Sequence, residues 1–594
     1  MTTPAPHGSG TPGSATPGAG TPGSEVSGPD ASGHRSSGSG SWGAGPGGPA
    51  AGGPHGPHGS PGPRNSPSPP SPPGSPGSYA PDGWGALLRA AVRRFGGRTA
   101  MVAHGERRTY RELGSNAARL ANALHGLGVR PGDRVALMAE DRVEALEAYV
   151  ACAFGGFTAV HVNDRLRAGE VQAIVDDADV RAFLHTEGRT EVAEAIAGPG
   201  VLVSAGRDPA RGALRYADLL AGASDRVPEA GPGGFPAVIG YTSGTTGDAK
   251  GVVVEDATLA RIIRHMPFHY RLAPGGRCAF TGTFSFVAGL WGVILPHLYL
   301  GGTLSFMAGL APDAWVDAMI RERSAFTYVP SPLAPAFVAE VRRRPEVLGT
   351  LRTVLHSASA LPPDLVREMV DLVGSRYIET WGMTETGAPV TATSAADWGP
   401  GCEADDIHAS VGRPMPIASV RVLDEAGDPL PPGAVGELAV ESDTLFAGYH
   451  NRPDATAEAF TGPWFRTGDA GRVDEAGYVY ITDRIKDMII TGGMNVYPAE
   501  LEKVLAGMPG IAEAAVFGTP HERWGEAVTV AVTPSPGAAV TGEDVIGFLS
   551  GRVAGYKKPS RVFVVEELPR NAARKVRKEV LRRRFQDTDG SALP

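Results

Sequence analysis

Cysteine is scarce in this chain. Its three cysteines, Cys152, Cys278 and Cys402, lie far apart and form no CxxC pair or Cys/His cluster. Neither a disulfide framework nor a zinc site is supported, and a reducing cytoplasmic setting is the expectation. No apolar run reaches the roughly 20 residues that span a bilayer, and the N-terminus lacks the apolar centre of a secretory leader. Positive charge is not in excess: the formal net charge is -9, which argues against a nucleic-acid partner. Aliphatic residues are nearly missing from positions 1–78, which are Gly, Pro and Ser with scattered Thr and Ala. Such a stretch cannot bury enough surface to offset its ordering entropy, so a disordered tail is expected there.

From Tyr79 onward the pattern changes. Asp82 is placed to cap a helix carrying Leu87, Leu88, Ala91, Val92 and Phe95 on one face. A second helix is expected from Arg111 to Leu127, stopped by Gly128. Strand and helix signals then alternate: Val135–Met138, Glu144–Ala153, Thr158–Val162, Glu170–Asp176 and Ala182–His185. Alternation of this kind implies parallel strands with crossover helices, an α/β body. Near Lys486 the strand-like runs Ala514–Phe517 and Ala527–Val532 interleave with helices at Ala499–Ala506 and Glu543–Leu549, as in a small α+β domain. The expected division is a tail at 1–78, a large domain at 79–484 and a small one at 485–594.

The densest chemical signal is Tyr241-Thr-Ser-Gly-Thr-Thr-Gly-Asp-Ala-Lys250-Gly251. The apolar run Ala237–Tyr241 leads in and Val252–Val254 leads out. The loop holds the hydroxyls of Thr242, Ser243, Thr245 and Thr246, the glycines Gly244, Gly247 and Gly251, and the cation Lys250. Glycines allow consecutive N–H groups to turn toward one point, hydroxyls add donors and the lysine adds charge, an inventory suited to a triphosphate. It is not a Walker A loop, because Asp248 and Ala249 separate the second glycine from the lysine and a strand follows.

This segment resembles the phosphate-gripping signature of the adenylate-forming superfamily, which includes acyl-CoA synthetases, adenylation domains of peptide synthetases and luciferases. The usual proline before the lysine is Ala249 here. The resemblance runs from about residue 79 to 585 with the motifs in family order, and is closest to acyl-CoA and fatty-acid–CoA ligases. It implies a large AMP-binding α/β domain and a small mobile C-terminal domain. Trp381-Gly382-Met-Thr384-Glu385 matches the motif supplying a purine face, a phosphate-binding hydroxyl and a Mg²⁺ carboxylate. Ser357, Ala358 and Ser359 stand where small residues underlie the adenine. Asp469 matches the ribose acceptor, Arg484 a second ribose or phosphate contact, and Lys486 the hinge. Gly492 and Gly493 match the wall of the pantetheine tunnel, and Lys575 the catalytic lysine, with Arg574 in place of the usual glycine and Lys578 as the nearest competitor. Lys557 and Lys558 read as a surface patch available to CoA phosphates.

The run Thr283–Gly292 resembles the helix that walls the acyl pocket through Phe286, Val287 and Gly289, with Phe286 where His is frequent in acyl-CoA ligases. No acid occurs between Thr281 and Gly302. An unpaired buried ammonium is costly, so an α-amino acid substrate is disfavoured and an apolar aliphatic or aryl acid expected. The resemblance implies two half-reactions using ATP, Mg²⁺ and coenzyme A: the carboxylate attacks the α-phosphorus to give acyl-AMP and pyrophosphate, then a thiol displaces AMP. Glu385, Thr384, Lys250 and Lys575 are the groups expected to stabilise the first. A carrier-protein phosphopantetheine in place of CoA, and a nucleotide-binding regulatory protein without catalysis, remain as alternatives.

Overall fold

Two apolar strand runs flanking a Gly/Thr loop, then repeated strand–helix units, build two large sheets in a computed structural model of the chain. It describes residues 83–229, 234–242, 249–284, 286–307, 309–357, 359, 361–492, 494–571 and 574–586. The expected tail, and Ser243, Gly244, Thr245, Thr246, Gly247, Ala358 and Gly493, lie outside these residues.

One eight-stranded sheet centres on the parallel strands Arg134–Met138, Thr158–Val162, Val180–Thr186 and Pro236–Thr242. Its antiparallel edge is Lys250–Glu255 followed by Gly448–Tyr449. A nine-stranded sheet has a parallel centre of Arg277–Phe280, Thr303–Phe306, Phe326–Tyr328, Thr353–His356 and Tyr377–Gly382. The helices Tyr110–Gly126, Val143–Gly155 and Asp256–His269 share one apolar cluster with strands of both sheets. Val143–Gly155 is buried at almost every position, which explains its weakly amphipathic sequence. A smaller antiparallel sheet, 418–484, follows. Beyond Ile489 a separate five-stranded sheet carries the helices Pro498–Leu505, Gly542–Leu549 and Lys578–Phe585, with an apolar cluster on each face.

Two local expectations are corrected. The N-cap of the first helix, Trp84–Phe95, is Gly83 rather than Asp82, and the Trp84 N–H donates to Asp256 Oδ1 at 3.0 Å. A carboxylate from a distant helix therefore satisfies the helix start. The wall run is not one helix: Val287–Gly289 is a single α turn, Leu290–Ile294 is π-helical, and Leu295–Tyr299 resumes as α. Leu295 N–H donates to Leu290 O, one residue beyond the α register, and Pro296 has no N–H to offer. Among the described residues no helix is long and apolar enough to cross a membrane.

Candidate active site

The antiparallel register that pairs Thr242 with Lys250 returns the chain to Lys250 after the glycine-rich turn. Gly240, in the strand before it, leaves little room for a side chain. A Cβ there would meet Val287, Thr384 and Trp291 at 3.3–3.4 Å, so Val287, Trp291 and Thr384 pack closely on this strand. Lys250 Nζ lies 4.9 Å from the centroid of the Tyr449 ring, and the Tyr449 hydroxyl donates to Glu385 Oε1 at 3.1 Å. Tyr449 thus links the loop lysine to the motif carboxylate. Its neighbourhood comes from pairing with Val252 across the sheet edge, a proximity that no local signal announces.

Tyr377–Gly382 delivers Trp381, Thr384 and Glu385. Glu385 is buried, which pushes its carboxyl above the ordinary range, opposed by the Tyr449 hydroxyl and Arg484. Trp381 offers little open face. It is 8% exposed, packed with Val390, Val411, Leu438, Val440 and Val479, and its Nε1 donates to Asp469 Oδ2 at 2.9 Å. Asp469 Oδ1 pairs with Arg484 Nε at 2.7 Å. Both oxygens expected to meet ribose hydroxyls are therefore already oriented by protein donors, while burial raises this carboxyl too. Beside the small-residue strip, Ser331 Oγ contacts Ser359 Oγ at 2.6 Å and His356 Nε2 at 2.9 Å, and His356 Nδ1 contacts Glu379 Oε1 at 2.7 Å. Ser357 O accepts from the Tyr328 hydroxyl at 3.4 Å. This polar chain, unmarked in the sequence, runs from the buried His356–Glu379 pair out to exposed Ser359 and ties the strand end to its neighbours.

Lys575 comes from the small domain and faces this cluster. Its side chain keeps solvent contact, yet protein crowding together with Arg484 and Lys486 pulls its ammonium below the ordinary lysine value, against the attraction of Asp469 and Glu385. Lys578 is otherwise engaged, 2.8 Å from Glu502. Arg574 stands at φ +63°, a left-handed conformation natural to glycine. Lys486 sits in the single turn Ile485–Asp487 between the two domains' sheets. Across that turn Asp483 Oδ2 accepts from Ala499 N at 2.7 Å, at the start of Pro498–Leu505. The expected Lys557 and Lys558 patch is instead tied down: Lys557 Nζ is 2.6 Å from Glu500 Oε2 and Lys558 Nζ 2.9 Å from Ser550 Oγ.

Along the acyl wall, Phe286 is 37% exposed while Val287 and Gly289 are buried. Phe284 stacks on Phe306 at 4.8 Å and on Tyr149 at 6.0 Å, and Phe280 lies 5.9 Å from Tyr328. An acid does reach this run from elsewhere: Asp141 Oδ1 accepts from Phe284 N at 2.6 Å, and burial pushes its carboxyl up to about 7. Gly492, at φ +58°, donates its N–H to Trp524 O at 2.8 Å, and a Cβ there would meet the indole at 3.0 Å. Among the described residues no group of three or more His, Cys, Asp or Glu is set to hold a metal.

The AMP-binding enzyme family model matches residues 88–450, and the model for its C-terminal domain matches 500–575. The chain is 36% identical to a feruloyl-CoA synthase of Amycolatopsis sp over 82% of its length and 96% of that protein. It is 34% identical to the fatty acid–[acyl-carrier-protein] ligase ScoC of Streptomyces coeruleorubidus, over 82% and 93%. ATP-bound MatB from Rhodopseudomonas palustris superposes with a TM-score of 0.75 at 32% identity, covering 85% of this chain and 99% of that one. With its phosphate-loop strands, buried acidic pair and incoming lysine now described, the chain belongs to the AMP-binding enzyme family and is an ATP-dependent acid–thiol ligase.

Proposed function

We propose that this enzyme activates an aryl carboxylic acid as its adenylate and passes the acyl group to coenzyme A, releasing AMP and pyrophosphate. The observation that carries the reading is that Lys575 of the small domain lies within electrostatic reach of the Arg484–Asp469 ion pair and of buried Glu385 on the large one. Adenylation drives a carboxylate toward a polyanion. Lys250 and Lys575 offset that repulsion where charge builds on the phosphates, and preorganised groups of this kind are each worth roughly 3–4 kcal/mol in the transition state. Asp469, set by Trp381 and Arg484, presents acceptors to the ribose. Thr384 and the Lys250 loop take the phosphates.

Glu385 is the carboxylate that would hold Mg²⁺. Its ionised form is disfavoured by burial, so a cation is the partner that restores it. One carboxylate suffices, since Mg²⁺ completes its shell from substrate phosphates and water, and it would spread phosphate charge when bound. The aromatic wall of Phe280, Phe284, Phe306 and Tyr328 supports an aryl acid, in keeping with the feruloyl-CoA relative. Gly492 beside Trp524 supports passage of a thin pantetheine arm. The carrier-protein reading is favoured by one observation, the likeness to a carrier-protein ligase. Buried, unpaired Cys152 and Cys278 support a cytoplasmic setting.

Pyrophosphate exchange across aryl and aliphatic acids tests the substrate class, and exchange with aliphatic acids alone overturns it. Thioester formation on free CoA against a phosphopantetheinylated carrier tests the acceptor. Lys575→Ala should lower exchange by roughly a hundredfold or more while sparing thiolation of pre-formed acyl-AMP. Equal loss of both half-reactions would show that Lys575 does not serve adenylation selectively.

A further inference from the structure

A cluster of arginines lies at the opposite end of the nine-stranded sheet from Ser357 and Glu385. The parallel strands Thr353–His356 and Tyr377–Gly382 run toward Ser357 and Glu385 at their C-terminal ends. At their N-terminal ends, Arg271, Arg323, Arg352 and Arg376 line one open cleft of about 700 Å³ with Leu348–Leu351 and Ser375. Strands of this length set the two sites roughly 13–20 Å apart.

The arginines divide into two anchored and two free. Arg271 Nη1 donates to Ser375 O at 2.5 Å, and Arg376 Nε donates to Leu351 O at 2.9 Å. Those bonds orient the guanidinium planes without neutralising them. Arg271 Nη2 is buried and has no hydrogen-bond partner among the described residues. Arg323 and Arg352 are exposed, and none of the four makes an ion pair with a described carboxylate. Asp397 draws on Arg271 from a distance, but its Oδ1 already serves Arg413 and the Tyr478 hydroxyl. Among the described residues, no carboxylate and no aromatic ring lines the cleft.

Four unpaired guanidiniums held on one concavity repel one another, and the burial of one unsatisfied N–H adds a further cost. In a protein of net charge -9, this local excess of one sign stands out. We propose that this cleft binds an oligophosphate anion of at least two phosphate groups, at a site separate from the ATP site. The guanidinium fork matches phosphate oxygens bidentately. The absence of a stacking ring means that phosphates, not a nucleobase, are recognised. A concave lining that is mostly polar, with Leu348 and Leu351 as its apolar side chains, also favours a compact anion over an acidic polypeptide.

The test is equilibrium dialysis of the full-length enzyme with inorganic tripolyphosphate at 150 mM salt, comparing wild type with Arg323→Gln/Arg352→Gln and the two single variants. The double variant should bind one equivalent fewer per chain, with an unchanged melting temperature and an unchanged pyrophosphate-exchange rate. The single variants should bind at least threefold more weakly at that site. Equal stoichiometry in wild type and double variant overturns the proposal. So does binding of citrate or hexaglutamate as tightly as tripolyphosphate, which would make the cleft a nonselective basic surface. These readouts leave the adenylation reading untouched whichever way they fall.

Discussion

Replacing Arg574 with glycine should make the enzyme a better adenylating catalyst. The residue precedes the lysine expected to act on the phosphates, and it stands at φ +63°. For an L-residue that conformation costs about 1–2 kcal/mol, because Cβ crowds the following carbonyl. Nothing the side chain does offsets this, since Arg574 is exposed and forms no ion pair among the described residues. The local bonds are made by backbone: Arg574 N donates to Asn571 O at 2.9 Å, and Arg574 O accepts from Arg570 Nη1 at 2.6 Å. A further pair, Lys575 N to Asn571 Oδ1 at 2.9 Å, fixes the peptide of Lys575 itself. Glycine keeps all three. It removes the strain but gives back about 0.5–1 kcal/mol in unfolded-chain entropy. The net gain for the ordered turn is about 0–1.5 kcal/mol, or up to roughly tenfold in its population.

Pyrophosphate exchange measures that gain where presentation of Lys575 limits the rate. Alanine is the control. Arg574→Ala removes the same charge but retains Cβ and hence the strain, so it should stay near wild type while Arg574→Gly rises several-fold. Asparagine, which tolerates the left-handed region, should fall between. Equal rates for the alanine and glycine variants would refute the strain argument and leave charge as the cause. A glycine variant no faster than wild type would show that the turn does not limit adenylation.

Tyr449→Phe keeps the ring beneath Lys250 but removes the donor to Glu385, and the loss of about 1 kcal/mol should raise the Mg²⁺ concentration for half-maximal exchange roughly fivefold. The pH profile of kcat/KM for exchange should be a narrow bell. Activity falls on the acid side as Glu385, whose carboxyl is raised by burial, takes up a proton, and on the alkaline side as Lys575, whose ammonium is lowered, loses one. Thiolation of pre-formed acyl-AMP should lack the alkaline limb. Asp141, raised to about 7 in the fold, binds its proton more tightly there than in the unfolded chain. Its contribution therefore destabilises above pH 7 and is relieved as pH falls from 7 toward 4. Asp141→Asn should raise the melting temperature at pH 8 more than at pH 5, the full displacement corresponding to at most about 4 kcal/mol. An equal effect at both pH values would show that the carboxyl titrates normally.

The pieces legible in the sequence were those whose chemistry is local. A hydroxyl-and-glycine loop between two apolar strands, a Gly-x-Thr-Glu after a strand, and a composition change at Lys486 each carry their meaning within a dozen residues. Contacts made only by the sheet order were not legible. Tyr449 reaches Lys250 through antiparallel pairing with Val252, and Asp141 reaches Phe284 from a different strand end. No acid lies between Thr281 and Gly302, yet Asp141 is brought to that run from a different element, so one segment does not set its own electrostatics. Trp381 shows the limit of reading a motif by its most familiar member. An indole has an N–H, and a carboxylate as buried as Asp469 needs a donor, so the ring turns inward to supply one.

The lowered ammonium of Lys575 bears on how one site serves two reactions. Burial lowers that ammonium first, the neighbouring cations Arg484 and Lys486 lower it further, and Asp469 and Glu385 oppose them. A bound triphosphate reverses the sign of that balance, because every one of those cations gains a partner. On the proposed function, the contact would be strongest while the polyphosphate is present and would weaken once pyrophosphate has left, when the acyl-AMP retains a single phosphate. On this reasoning the turn at Lys486 requires no dedicated trigger. On the proposed function, loss of the leaving group would itself free the small domain to present Gly492 in place of Lys575.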